Sequence, residues 1–226
     1  MLSRPKAIGG SLLVLAMAAA PIARAETDQQ TLVERSRITV EDLKRDKEFG
    51  TAKQLLHSAR AILIVPRLYK GGFFVGGEGG AGVLLTRQGE GSWSSPAFYD
   101  LGSASFGLQI GLEQAEMVLL VMSQKGLDAL MQDQFKIGVG AGITVVTLGS
   151  GVEGATTAAA GADIVTWSSS SGAYAGITLN GTVIKPAKDD DAAYYGHAVT
   201  TKQILAQKAA PQGHGIGLQQ ALSSVN

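Results

Sequence analysis

Cysteine is absent from this 226-residue chain, proline occurs six times, histidine three times, and aromatic residues make up 6%. Each shortage closes off a class of protein. Without cysteine there is no disulfide framework, no thiolate nucleophile and no cysteine-ligated metal, so stability rests on packing. His57, His197 and His214 stand apart from one another and from any ligand spacing, and no Gly-x-Ser-x-Gly elbow occurs. Histidine-rich metal sites and serine hydrolysis therefore lack their local parts. Aromatics this sparse form no girdles, which weighs against an outer-membrane barrel. A net excess of charge is missing too: 19 basic residues face 19 acidic ones, so general nucleic-acid binding lacks its electrostatic footprint.

What is abundant is apolar residues, at 45%, and glycine, at 30 positions. The length suits one domain with a substantial core. Residues 1–25 have a short basic start, an apolar stretch over 7–20 and the small-residue pattern Ala23-Arg24-Ala25, the signature of a secretory signal cleaved after Ala25. The stretch is interrupted at Gly9, Gly10 and Ser11 and falls short of the roughly 20 residues that a spanning helix needs. This segment carries Arg4, Lys6 and Arg24 and no acid, so the remainder holds 16 basic and 19 acidic residues, a net charge of −3. The expected location is the periplasm or the extracellular side.

Residues 27–58 are charged and place Leu32, Val33, Val40, Leu43, Leu55 and Leu56 at helical spacing. Thr39 with Asp42 reads as a capping pair and Gly50 as a break. From Ala61-Ile62-Leu63-Ile64-Val65, a β run stopped by Pro66, the texture turns to glycine among β-branched residues. The fold class is α+β: a glycine-rich, mainly antiparallel sheet over residues 60–185, flanked by N-terminal helices and by C-terminal helices within 200–224. Further strands are expected over 103–112, 117–122, 137–148 and 173–184, a hairpin at Asn180-Gly181, and a one-face helix over 124–132. Gly138, Gly140 and Gly142 fall on alternate positions and are expected to line one strand face.

Gly77-Glu78-Gly79-Gly80-Ala81-Gly82 matches a dinucleotide-binding pattern but continues as strand, so it lacks the helix whose amides would hold a pyrophosphate. Asp189-Asp190-Asp191 fails the calcium-loop spacing and reads as a solvated loop, and residues 168–171 read as a polar turn. No nucleophile, base and orienting group assemble from local patterns, so no catalytic residue, cofactor or metal site is expected. Charge placement says more. Residues 26–87 hold ten basic and eight acidic side chains, residues 88–226 six and eleven. Arg60, Arg67, Lys70 and Arg87 face the single Glu78 within 60–87, and arginine's planar fork suits phosphate oxygens. They form a candidate anion patch at the helix-to-sheet junction.

The order Ala61-Ile62-Leu63-Ile64-Val65-Pro66, Lys70-Gly71-Gly72-Phe73, Gly80-Ala81-Gly82-Val83-Leu84, Arg87, Trp93-Ser94-Ser95-Pro96-Ala97-Phe98 and Gly107-Leu108-Gln109-Ile110-Gly111 closely resembles the SYLF domain family. Tyr174-Ala175-Gly176-Ile177, Leu179-Asn180-Gly181, Tyr194-Tyr195-Gly196 and Ile204-Leu205 continue the resemblance, which covers residues 27–208. It implies a binding module without catalysis: eukaryotic members bind phosphoinositides and other anionic lipids, partly through an amphipathic N-terminal helix, and some yeast members bind actin. On that reading Arg60, Arg67, Lys70 and Arg87 are candidate headgroup ligands, with Lys70 and Arg87 at basic positions of the family pattern. Leu32, Val33, Val40, Leu43, Lys44 and Lys47 are candidates for a membrane-contacting helix. An exported chain of bacterial aspect is not expected to meet actin. The expected function is peripheral attachment to anionic phospholipids at the bacterial envelope; the alternative is a structural domain that binds itself or an envelope protein.

Overall fold

The computed structural model describes residues 26–45, 49–72, 75–106, 111–139, 142–148, 161–170, 179, 181–206 and 213–225. Two helices, α1 (Asp28–Arg45) and α2 (Phe49–Ser58), lead into β1 (Ala61–Gly72) and β2 (Val75–Thr86). There follow β3 (Ala97–Phe106), β4 (Gly111–Val121), α3 (Gln124–Leu130), β5 (Phe135–Lys136), β6 (Val145–Leu148), β7 (Ile164–Ser170) and β8 (Val183–Pro186). The described chain closes with α4 (Lys188–Tyr195), α5 (Thr201–Leu205) and α6 (Gly213–Ser223). The strands form one curled sheet in the order β5-β8-β3-β2-β1-β4-β7-β6, antiparallel except for the β6–β7 pair.

Pro66 does not stop β1; it lies inside it, in the centre of the sheet. A proline has no N–H for the ladder, so a central strand tolerates one only at a bulge. The register supplies it: Ile64 faces Val83, and the next pair toward β2 is Arg67 with Ala81. Glycine makes room for the bulged backbone. A Cβ on Gly82 would stand 2.6 Å from the Ile64 carbonyl oxygen, and one on Gly80 2.6 Å from that of Arg67.

Residues 61–66 and 117–121 are buried at every position, which requires cover on both sheet faces. One cover is α1, which packs on β1 and β2 and beside α6, with Val33, Val40 and Leu43 fully buried. Neighbours on a strand point to opposite faces. Phe98 accordingly meets the Tyr194 ring of α4 at 5.1 Å, while the Tyr99 hydroxyl donates to the Leu130 carbonyl of α3 at 3.0 Å.

The residues that carry the family resemblance turn out to hold one another. Ser94 Oγ accepts from the Thr86 N–H at 2.9 Å, and the Tyr195 hydroxyl donates to the Pro96 carbonyl at 2.8 Å. Asp191, with no exposed surface, accepts from the Phe98 N–H at 2.8 Å and from the Thr201 hydroxyl at 3.3 Å, so one carboxylate joins α4, β3 and α5.

Several local expectations need correction. Residues 189–191 are the first turn of α4, and Asp191 is buried because it replaces a missing strand partner for Phe98. Residues 168–170 are strand, paired with β4. Gly138 and Gly142 have φ of 79° and 57° and sit in turns between β5 and β6, so they do not line a strand face; Gly140 lies outside the described residues. The run 103–112 spans the end of β3 and the start of β4, and of 173–184 only Val183 and Ile184 lie in a described strand. Thr39 is no cap: it is buried mid-α1 and donates to Glu116 Oε1 at 2.8 Å. Gly50 is no break: it lies inside α2, and residues 46–48 are outside the described residues. The hairpin expectation keeps one described residue, Gly181, at φ 89°.

Candidate functional site

Arg60 and Arg87 meet where α2 ends and the two central strands begin and finish: the Arg87 N–H donates to the Arg60 carbonyl at 2.7 Å. Arg87 reaches back to the C-terminus of α2, donating from Nε to the Ala59 carbonyl at 2.9 Å and from Nη2 to the Leu56 carbonyl at 2.5 Å. The Leu56 carbonyl also accepts the Ala59 N–H at 3.2 Å, and Ala59 lies just past the helix; a cation at this end adds a donor and complements the helix dipole. The guanidinium lies 4.5 Å over the buried Trp93 ring, a cation–π contact. Burial pulls its pKa below the usual arginine value.

Arg60 is exposed and forms no ion pair with any described residue. It stands on the rim of an open cleft of about 460 Å³, whose walls also include Ser58, Thr86, Gln88, Gln124 and the apolar Met122 and Leu127. Gln88 is held by Thr86 Oγ1 at 2.9 Å and the Leu205 carbonyl at 2.8 Å. Among the described residues the cleft thus offers the Arg60 guanidinium without an ion pair, a second with part of its fork engaged, the Ser58 hydroxyl, the Gln124 amide and an apolar wall. That set can hold a small anion attached to an apolar body.

The other two basic candidates do not join this cleft. Arg67 is half-buried and faces Ala81 seven positions further along β1, roughly 23 Å at a strand's rise. Lys70 lies beyond it, its backbone opposite Glu78 and Glu113; its side chain is outside the described part. The helix candidates need a larger correction. Val33, Val40 and Leu43 are fully buried and Leu32 packs against the same core, because the apolar stripe of α1 is the cover of the sheet. Lys44 pairs with Glu41 at 3.0 Å and donates to Ser224 Oγ at 2.8 Å; Lys47 lies outside the described residues. Neither the end-capping by Arg87 nor the wall from α3 has a local sequence signal.

Among the described residues no group of three or more histidine, aspartate or glutamate side chains could hold a metal ion, and no described helix is long and apolar enough to cross a membrane. A curled antiparallel sheet with a basic cleft at one end and helices folded back on it defines an α+β domain suited to binding. Residues 102–225 match the family profile Ysc84, described as Las17-binding protein actin regulator, and the chain belongs to this SYLF family. It is 27% identical over 183 residues to LAS seventeen-binding protein 3 of Saccharomyces cerevisiae, covering 78% of this chain and 40% of the relative. Protein YSC84 of the same yeast is 26% identical over 171 residues, 73% of this chain and 36% of its own length. SH3 domain-containing YSC84-like protein 1 of Rattus norvegicus is 28% identical over 144 residues, 63% and 42% respectively. The chain therefore spans about 40% of the length of these relatives.

Proposed function

We propose that this chain is an exported, non-catalytic module that attaches peripherally to anionic phospholipid headgroups at a bacterial envelope surface. The observation that carries the reading is the exposed guanidinium of Arg60, without an ion pair among the described residues, on a cleft that also has an apolar wall. With α1 committed to the core, attachment runs through headgroup contact and not through insertion of that helix. Each basic group near an anionic surface contributes about 1 kcal/mol, so binding is weak and falls with salt.

The test is sedimentation of residues 26–226 with vesicles that are neutral, phosphatidylglycerol-containing or phosphoinositide-containing, at low and high salt. Pelleting with anionic vesicles alone, reversed by salt, is expected. Charge reversal by R60E should weaken it roughly 30-fold, and R67E much less. Equal loss with R67E would replace the cleft by a diffuse surface field, and no pelleting with any lipid would end the lipid reading.

A second reading, binding of a protein partner, is favoured by the name of LAS seventeen-binding protein 3 and by the family's description as Las17-binding protein actin regulator. Concentration-dependent mass would reveal self-association. Pelleting with actin filaments is not expected for an exported chain.

A further inference from the structure

A second cavity lies at the start of α1 and shares no lining residue with the Arg60 cleft. Its volume is about 270 Å³, below the roughly 300–1,000 Å³ of ordinary ligand pockets, which limits the occupant to a small group. Leu32, Ala81 and Phe98 provide an apolar floor, and both signs of charge line the walls: Arg35 on one side, Asp28 and Asp190 on the other.

The charges are close enough to share one void, yet they do not neutralise each other. Arg35 is exposed and forms no ion pair with any described residue. Among the described residues Asp28 likewise has no ion pair, and Asp190 accepts one side-chain hydrogen bond, from Gln29 Nε2 to Oδ1 at 2.7 Å. Ala81 on the wall is the cross-strand partner of Arg67, which is half-buried and forms no ion pair with any described residue. Opposite charges held apart around a space are complementary to a molecule that carries both signs itself. The Arg35 fork suits a phosphate, and the two carboxylates suit a primary ammonium.

We propose that this cavity binds a small zwitterion with a primary ammonium and a phosphate, the chemistry of ethanolamine phosphate. The site is separate from the Arg60 cleft and does not rest on it. An ethanolamine headgroup in a bilayer and a free phosphoethanolamine present the same two charges.

The experiment titrates the full chain with O-phosphoethanolamine, inorganic phosphate and ethylamine in turn, followed by amide chemical shifts. Phosphoethanolamine should bind at least about tenfold more tightly than either half alone, and R35Q and D190N should each cost about tenfold, the worth of one charge-assisted hydrogen bond. R60E should leave this affinity unchanged. Sedimentation with phosphatidylcholine vesicles, with and without phosphatidylethanolamine, then separates the sources. Pelleting that depends on ethanolamine lipid identifies the headgroup, and binding of the free compound alone identifies a soluble ligand. Phosphate binding as tightly as phosphoethanolamine, indifference to R35Q, or no binding of any compound overturns the proposal.

Discussion

Replacing Asp191 by asparagine should raise the protein's stability at neutral pH relative to its stability in acid. Burial holds this carboxyl up at about 6, against an ordinary 3.8; the hydrogen bonds from Phe98 and Thr201 pull the other way, and the neighbouring Asp190 charge adds to the rise. A folded-state pKa above the unfolded one means that the stability from this group is complete below pH 3.8 and is lost as pH climbs through 6. The gap of about two pH units corresponds to roughly 3 kcal/mol. The asparagine side chain would keep an acceptor for the Phe98 N–H and offer an amide to Thr201, while removing the titration. Urea unfolding of both proteins at pH 4, 5, 6 and 7 measures it. The stability of D191N relative to wild type should rise by about 2–2.5 kcal/mol from pH 4 to 7, most of it below pH 6, the rest of the gap lying below pH 4. A difference that stays flat with pH would refute the argument, and D191A, which removes the same titration but strands the Phe98 N–H, should lie about 1–3 kcal/mol below D191N at every pH.

Gly82→Ala pushes a methyl against the Ile64 carbonyl and should cost about 1–3 kcal/mol, whereas Gly79→Ala, whose Cβ would stand 3.7 Å from the nearest described atom, should be nearly neutral; thermal unfolding compares them directly. Leu43→Ala should cost about 2–5 kcal/mol in chemical denaturation and leave vesicle binding of the folded protein intact, since that side chain faces the core. Arg87→Lys keeps the charge but loses the fork that spans the Leu56 and Ala59 carbonyls, and should cost about 1–2 kcal/mol, with amide exchange rising first in α2.

The legible parts of the fold were those whose signal is local. Consecutive apolar residues at 61–65 marked a strand, and the spacing of Val33, Val40 and Leu43 marked a helix. What that helix face would meet was not legible, because spacing reports an apolar stripe and says nothing of whether lipid or sheet covers it. Alternate glycines at 138, 140 and 142 look the same in an extended chain and in a turn with positive φ. Asp191 is one of three identical letters in a row, and its partner Phe98 lies 93 residues away. Arg87 was singled out as a cation, yet the carbonyls that employ it precede it by 28 and 31 residues. Of the candidate site, composition supplied Arg60; the cleft beside it is made by tertiary contact.

The family profile begins at residue 102, inside β3, but the hydrogen-bond ladder does not. β1 and β2 lie between β3 and β4, so the matched segment contains the end of β3 and all of β4, whose inner neighbours β2 and β1 come from outside it. Cut at that boundary, the sheet would part along its middle and expose two long raw edges. The piece that a gene fusion could carry intact into a larger protein is therefore set by the strand order and must include the residues ahead of the signature.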